Sequence, residues 1–180
     1  MLQPDFGSGL YVWGSVLSVF MVSLAIGYWL GGKLSAKRAS LTALMVFPFL
    51  GGCIIFVLPY VYRWVNEALF NLVVMEWEFR ESYASLIAAT VEFLIPSAIL
   101  GCVSPYSVRL LARTVTTSGR TAGNLYAVST VGSTVGALVT SFYLVPWQGV
   151  ETLFQMLGGV LVSVSVLGLV IALVVGRSRE

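Results

Sequence analysis

Histidine is absent from this 180-residue sequence, and charged residues make up only 10% of it. Without histidine, the chain lacks the commonest protein ligand for metals and the usual proton carrier at neutral pH. The scarcity of charge, beside 58% hydrophobic residues, excludes a water-soluble globular domain. Segments of about ten alternating residues, which a transmembrane barrel requires, are also missing. The composition therefore predicts an all-α, polytopic helical membrane protein with no catalytic, cofactor or metal site.

Cysteine is scarce too, with only Cys53 and Cys102 in the chain. They fall in different apolar runs, at depths that differ by about 15 Å at 1.5 Å per helical residue. A disulfide requires Cα atoms within about 7 Å of each other. We therefore expect both cysteines to be buried small apolar residues.

Apolar runs of the length that crosses a bilayer, about 20 residues, occur five times. They span residues 10–30, 41–62, 82–103, 121–145 and 152–175. Eight of the ten Lys and Arg fall on the side of the loop that contains Lys33 and Lys37. The positive-inside rule places that side in the cytoplasm, so the N-terminus is expected outside and the C-terminus inside. We predict one transmembrane domain over residues 1–180, in a bacterial inner membrane, surrounded by lipid and without nucleic acid as a partner.

Two segments between the apolar runs predict structure at the membrane surface. Residues 63–81 begin with apolar residues at helical spacing, which indicates an outer surface helix. Within that segment, 75–80 alternates with period two, which is typical of an extended chain. Residues 107–117 predict an amphipathic cytoplasmic helix, whose polar side is continued by a third arginine; the three are Arg109, Arg113 and Arg120. These arginines suit anionic lipid headgroups or a cytoplasmic protein partner.

Small residues recur four apart in three of the runs. Such pairs share one helix face and allow two helices to approach closely. The pairs are Gly27 with Gly31, Gly132 with Gly136, and Gly159 with Ser163. We interpret all three as helix-packing faces. For residues 123–137, which are crowded with glycine and hydroxyl residues, a helix that lines a binding cavity is the alternative.

Glu92 is the one acidic residue inside a predicted span. An ionised carboxylate at the bilayer centre costs on the order of 2.5–3.5 kcal/mol on insertion scales. We therefore expect Glu92 to be neutral or to face a polar cavity. Hydroxyl residues of the fourth span lie at a matching depth: Ser129, Thr130, Ser133 and Thr134. Together they predict a proton- or ligand-binding site, with an interhelical hydrogen bond as the structural alternative.

Four stretches, taken in order, form a recognisable series. They are Phe6–Gly14, Gly27–Leu34, Ser104–Leu110 and Gly123–Gly136, the last continuing through Pro146 to Gly149. This series resembles the membrane domain of the spermidine synthase-like integral membrane proteins, also called transporter-like fused spermidine synthases. The resemblance implies a helical membrane domain and makes a polyamine an attractive ligand.

The chain departs from that family at both ends. The family usually carries another helix before the stretch that matches Phe6–Gly14, and it usually continues into a soluble aminopropyltransferase-like domain. We expect this chain to lack the first helix and the soluble synthase domain. No glycine-rich nucleotide-binding loop follows a strand pattern, so we expect no synthase activity.

Two functions of different classes follow from these observations. The first is a non-catalytic membrane subunit that packs with other membrane chains or a second copy, or that anchors a separate cytoplasmic synthase-like protein. The second is a transporter-like module that binds a small cationic solute, such as a polyamine, through Glu92. A membrane-embedded enzyme is supported only by the name of the resembled family.

Overall fold

The computed structural model describes residues 10–37, 39–73, 80–112 and 114–177. Helices account for 96% of these residues, and none of them is in a strand. In order, the elements are α1 (Leu10–Lys37), α2 (Leu41–Val73), α3 (Arg80–Gly101), α4 (Val103–Leu111), α5 (Val115–Val139), a π-helical turn (Thr140–Leu144), α6 (Val145–Gln148) and α7 (Val150–Arg177). Five helical stretches are long and apolar enough to cross a membrane. The prediction of an all-α integral membrane protein with five candidate spans is confirmed.

Helix α3 is the centre of the bundle. It packs on α1 on one side and on α2 on the other, and α2 in turn packs on α7. The ring of Phe93 on α3 lies 5.3 Å from that of Phe20 on α1 and 6.4 Å from that of Phe154 on α7. Three helices therefore meet around one aromatic side chain of α3.

The contact between α1 and α3 is close because glycine provides room at its inner half. A Cβ on Gly27 would meet the carbonyl oxygen of Ala98 and lie 2.9 Å from the Cα of Gly101. A Cβ on Gly31 would lie 2.6 Å from the carbonyl oxygen of Cys102. Both glycines thus lie where helix backbones touch.

Helices α2 and α7 are antiparallel, because residues later in α2 contact residues earlier in α7. Gly52 and Gly158 approach each other, and a Cβ on Gly158 would lie 2.8 Å from the carbonyl oxygen of Gly52. Near the start of α7, the Tyr62 hydroxyl donates a 2.6 Å hydrogen bond to Oε1 of Glu151. One turn further, Nε2 of Gln155 donates to the Tyr60 hydroxyl at 3.0 Å.

We expect Tyr62→Phe to lower the free energy of unfolding by about 1 kcal/mol, the usual net contribution of one protein hydrogen bond. Detergent-titrated unfolding in mixed micelles measures this change. Tyr143→Phe is the matched control, since Tyr143 is 68% exposed. Equal losses in the two variants would show that the hydrogen bond to Glu151 contributes nothing specific.

Helix α2 corrects the prediction of a separate surface helix after residue 62. It continues without a break to Val73, which gives a length of about 50 Å at 1.5 Å per residue. Pro48 and Pro59 both lie inside it. The predicted extended segment at 75–80 falls outside the described residues except for Arg80, which begins α3.

The predicted helix over residues 107–117 is also corrected. Helix α4 begins at Val103, directly after α3, and ends at Leu111, so this segment is divided between two helices. Thr114 starts α5: its N–H donates to the Thr117 hydroxyl at 3.3 Å, and the Thr117 N–H donates to its carbonyl at 3.2 Å. This reciprocal capping begins a new helix because it satisfies backbone groups that α4 no longer reaches.

Two tyrosine contacts and one glycine define the remaining turns. The buried Tyr106 hydroxyl accepts a hydrogen bond from the Ser40 N–H at 3.2 Å, which ties α4 to the turn before α2. Gly149 has a φ of 73°, a conformation that glycine adopts readily, and it separates α6 from α7. Both cysteines are free; Cys102 is buried as expected, whereas Cys53 is half-buried.

Candidate functional site

Glu92 lies on the buried face of α3. Its side chain is 2% exposed, and Ala88 and Ala89, one turn earlier, are 0% exposed. An acidic side chain is almost never this deeply buried without a specific reason. Carboxyl groups within a membrane span are functional candidates by default, because the span would otherwise exclude them.

Hydroxyl side chains accompany Glu92 along the contact between α1 and α3. The Ser15 and Ser85 hydroxyl oxygens are 3.3 Å apart. Ser23 is 0% exposed, and its hydroxyl donates to the carbonyl of Val19 at 2.5 Å. Ser97 is also buried. We call this group of four serines and Glu92 the α1–α3 polar seam.

The hydroxyl residues expected beside Glu92 lie elsewhere, which corrects the prediction. Ser129, Thr130, Ser133 and Thr134 are all exposed on α5. The Thr130 hydroxyl donates to the Tyr126 carbonyl at 2.8 Å, and the Thr134 hydroxyl donates to the Thr130 carbonyl at 2.8 Å. These bonds are internal to α5, so the hydroxyl groups near Glu92 come from α1 and α3 instead.

Helix α5 stands apart from the α1–α3–α2–α7 bundle. No residue from Thr116 to Gln148 is buried. Within the part of the chain that the structure describes, a Cβ on Gly132 or Gly136 would meet nothing within 4 Å. The small-residue face of α5 is therefore open, in contrast to the packed glycines of α1.

On α7 the packing glycine is one position earlier than expected. Gly158 contacts α2, whereas a Cβ on Gly159 would meet no described atom within 4 Å. Ser163 is exposed and donates to the Gly159 carbonyl at 2.8 Å. The sequence contains both glycines side by side, and only the position of α2 distinguishes them.

Cationic side chains lie at the ends of the helices. Arg109 on α4 and Arg120 on α5 are exposed, and residue 113 lies outside the described ranges. Sequence reasoning missed one cationic contact: Nζ of Lys33 lies 3.7 Å from the centroid of the Trp29 ring. The four-residue spacing of Lys33 and Trp29 on one helix was the available signal.

The seam serines were also missed, although Ser85 and Glu92 are spaced seven residues apart and therefore share a helix face. In the described ranges, no group of three or more His, Cys, Asp or Glu residues is placed to hold a metal ion. The geometry thus presents two candidates, a buried carboxyl group with hydroxyl neighbours and an open small-residue face. No protein-family model, curated protein or solved structure matches this chain.

Proposed function

We propose that this protein is a non-catalytic subunit of a membrane complex and that α5 docks onto a transmembrane helix of another protein chain. The observation that supports the proposal is the open face of α5, on which Gly132 and Gly136 meet no described neighbour. Gly27, Gly31 and Gly158 show how this chain uses glycine elsewhere, namely where two helix backbones touch.

The chemistry of α5 suits a protein helix better than lipid. Missing side chains allow close backbone approach, and close approach supplies the van der Waals contact that drives helix association in membranes. Ser129 and Ser133 flank the two glycines and offer hydroxyl groups for hydrogen bonds across that contact. Lipid tails gain nothing from either feature, so a partner helix is the occupant that this face favours.

The proposed orientation follows the positive-inside rule, with the N-terminus outside and the arginines of α4 and α5 in the cytoplasm of a bacterial cell. Exposed Arg109 and Arg120 would contact anionic headgroups there, or a separate cytoplasmic synthase-like protein. The likeness to spermidine synthase-like membrane domains stays a prediction, and the docking proposal does not depend on it.

Transport of a small cationic solute such as a polyamine is the second candidate, and the buried carboxyl group of Glu92 favours it. However, a polyamine must reach that carboxyl group, which is only 2% exposed. Docking through α5 requires no such opening. We therefore rank the subunit function first.

Purification from the native membrane in mild detergent tests the proposal. We expect a second membrane protein to co-purify in stoichiometric amount, identified by mass spectrometry. A homodimer without other chains would favour the transport function instead. A monomer that retains its fold and binds no other chain would contradict the docking proposal.

A further inference from the structure

The polar seam is a feature that docking through α5 does not use. It combines Glu92, 2% exposed, with Ser23 and Ser85, both 0% exposed, at the contact between α1 and α3. Polar groups are costly to bury, so a row of them between two membrane helices calls for an explanation beyond packing.

The order of the seam along the membrane normal follows from the helix register. Ser15 contacts Ser85, Gly27 contacts Ala98, and Gly31 contacts Cys102, with each pair 70 or 71 positions apart. A constant offset means that α1 and α3 are parallel, so positions at the same offset share a level.

At this offset, Glu92 is level with the stretch of α1 between Val19 and Ser23. Seven residues separate it from Ser85, which corresponds to about 10 Å along the helix axis. The Ser15–Ser85 pair is therefore nearer the end of the bundle at which α1 begins, and Glu92 lies about two turns deeper. The hydroxyl groups lead from that end towards the carboxyl group.

The size of the site selects its ligand. A side chain that is 2% exposed offers no opening for a polyamine or another organic cation, whereas a proton requires no volume. Burial also favours the uncharged carboxylic acid over the carboxylate, because the charged form loses its hydration. We infer that Glu92 is a proton-binding site, and that it exchanges its proton with the water at the end where α1 begins, along the seam.

The exchange route has a defined gap. The 10 Å between the levels of Ser85 and Glu92 exceeds any single hydrogen bond, so exchange requires water to enter transiently between α1 and α3. Ser23 provides a polar group within this interval. Small residues on both helices make such entry easier than bulky apolar side chains would.

Other titratable or charged groups are present on the helices packed against α3. Among the residues whose side chains are described, they are Tyr28 and Lys33 on α1, Cys53, Tyr60 and Tyr62 on α2, Tyr106 and Arg109 on α4, and Glu151 on α7. Lys33 is twelve positions below the level of Glu92 by the same register, about 18 Å. Glu151 is the other described carboxyl group in this set, and it is exposed.

Infrared spectroscopy of the full-length chain in lipid vesicles tests the proton site. We expect a carbonyl stretching band of a protonated carboxyl group that disappears as the pH is raised and is lost in Glu92→Gln. The matched control Glu151→Gln should keep the band. Absence of the band from the wild type, its survival in Glu92→Gln, or its persistence at every pH at which circular dichroism shows folded protein would overturn the inference.

Two further variants separate the site from its route and from folding. If Glu92→Gln does not fold, Glu92→Asp should fold and shift the frequency of the band; an unshifted band would assign it to another residue. In D₂O, Ser85→Val should slow the deuterium shift of the band at least tenfold. An unchanged rate would overturn exchange along the seam.

Discussion

Replacing Gly31 by alanine should destabilise the protein by about 2–3 kcal/mol, although the change adds a single methyl group. The new Cβ would lie 2.6 Å from the carbonyl oxygen of Cys102, 2.7 Å from its Cα, and 2.9 Å from Cγ of Pro105. Two of these atoms are backbone, so relief requires α1 and the α3–α4 junction to separate. Overpacking of this kind typically costs about 1–3 kcal/mol. Unfolding in mixed micelles, titrated with a denaturing detergent, measures the loss.

Gly32→Ala is the matched control because the two glycines are adjacent on α1. A Cβ on Gly32 would meet nothing within 4 Å in the described part of the chain. Alanine is a better helix former than glycine by about 1 kcal/mol in water, so the Gly32 variant should be as stable as the wild type or more stable. If both variants lose equal stability, the close contact at Gly31 does not contribute.

Replacing Gly132 by leucine should reduce the amount of co-purified partner at least tenfold, which corresponds to about 1.4 kcal/mol of binding free energy. The leucine side chain would project from the face at which we propose that another helix docks, and it would hold the two backbones apart. The isolated chain should keep its stability, because nothing in the described structure lies within 4 Å of this position. Quantitative mass spectrometry of the purified complex measures the loss of partner.

Val131→Leu is the control for that experiment. Val131 is 64% exposed and, at 100° per residue, lies on the side of α5 opposite the centre of the small-residue face. We expect it to retain the partner. The docking proposal fails if Gly132→Leu binds as much partner as the wild type, and it also fails if both variants lose the partner equally.

The two glycine experiments should give opposite patterns, and the sequence offers no means to anticipate this. Gly27 with Gly31 and Gly132 with Gly136 have the same spacing in runs of similar composition. The first pair is enclosed by α3 and α4, whereas the second faces away from the bundle. Spacing reports which residues share a face, but it does not report what that face meets.

The candidate site shows the same division. Its central residue was found from sequence, because a carboxyl group inside an apolar run stands out. Its neighbours were assigned to α5 because residue counting gave hydroxyl groups at a similar depth there. Depth along the membrane normal says nothing about lateral position, and the structure places α1 beside α3 while α5 lies apart.

Composition and apolar run length by themselves determined that this is an all-α protein with five helices able to cross a membrane, since the bilayer sets both quantities. They also identified Glu92 as the residue to explain. Only the tertiary structure decided that α1 and α3 run parallel at a constant offset, that Ser15, Ser23 and Ser85 line the contact near Glu92, and that α5 presents its glycines outwards. The physical reason is that apolar pattern reports burial from water, and lipid and a neighbouring helix exclude water equally well.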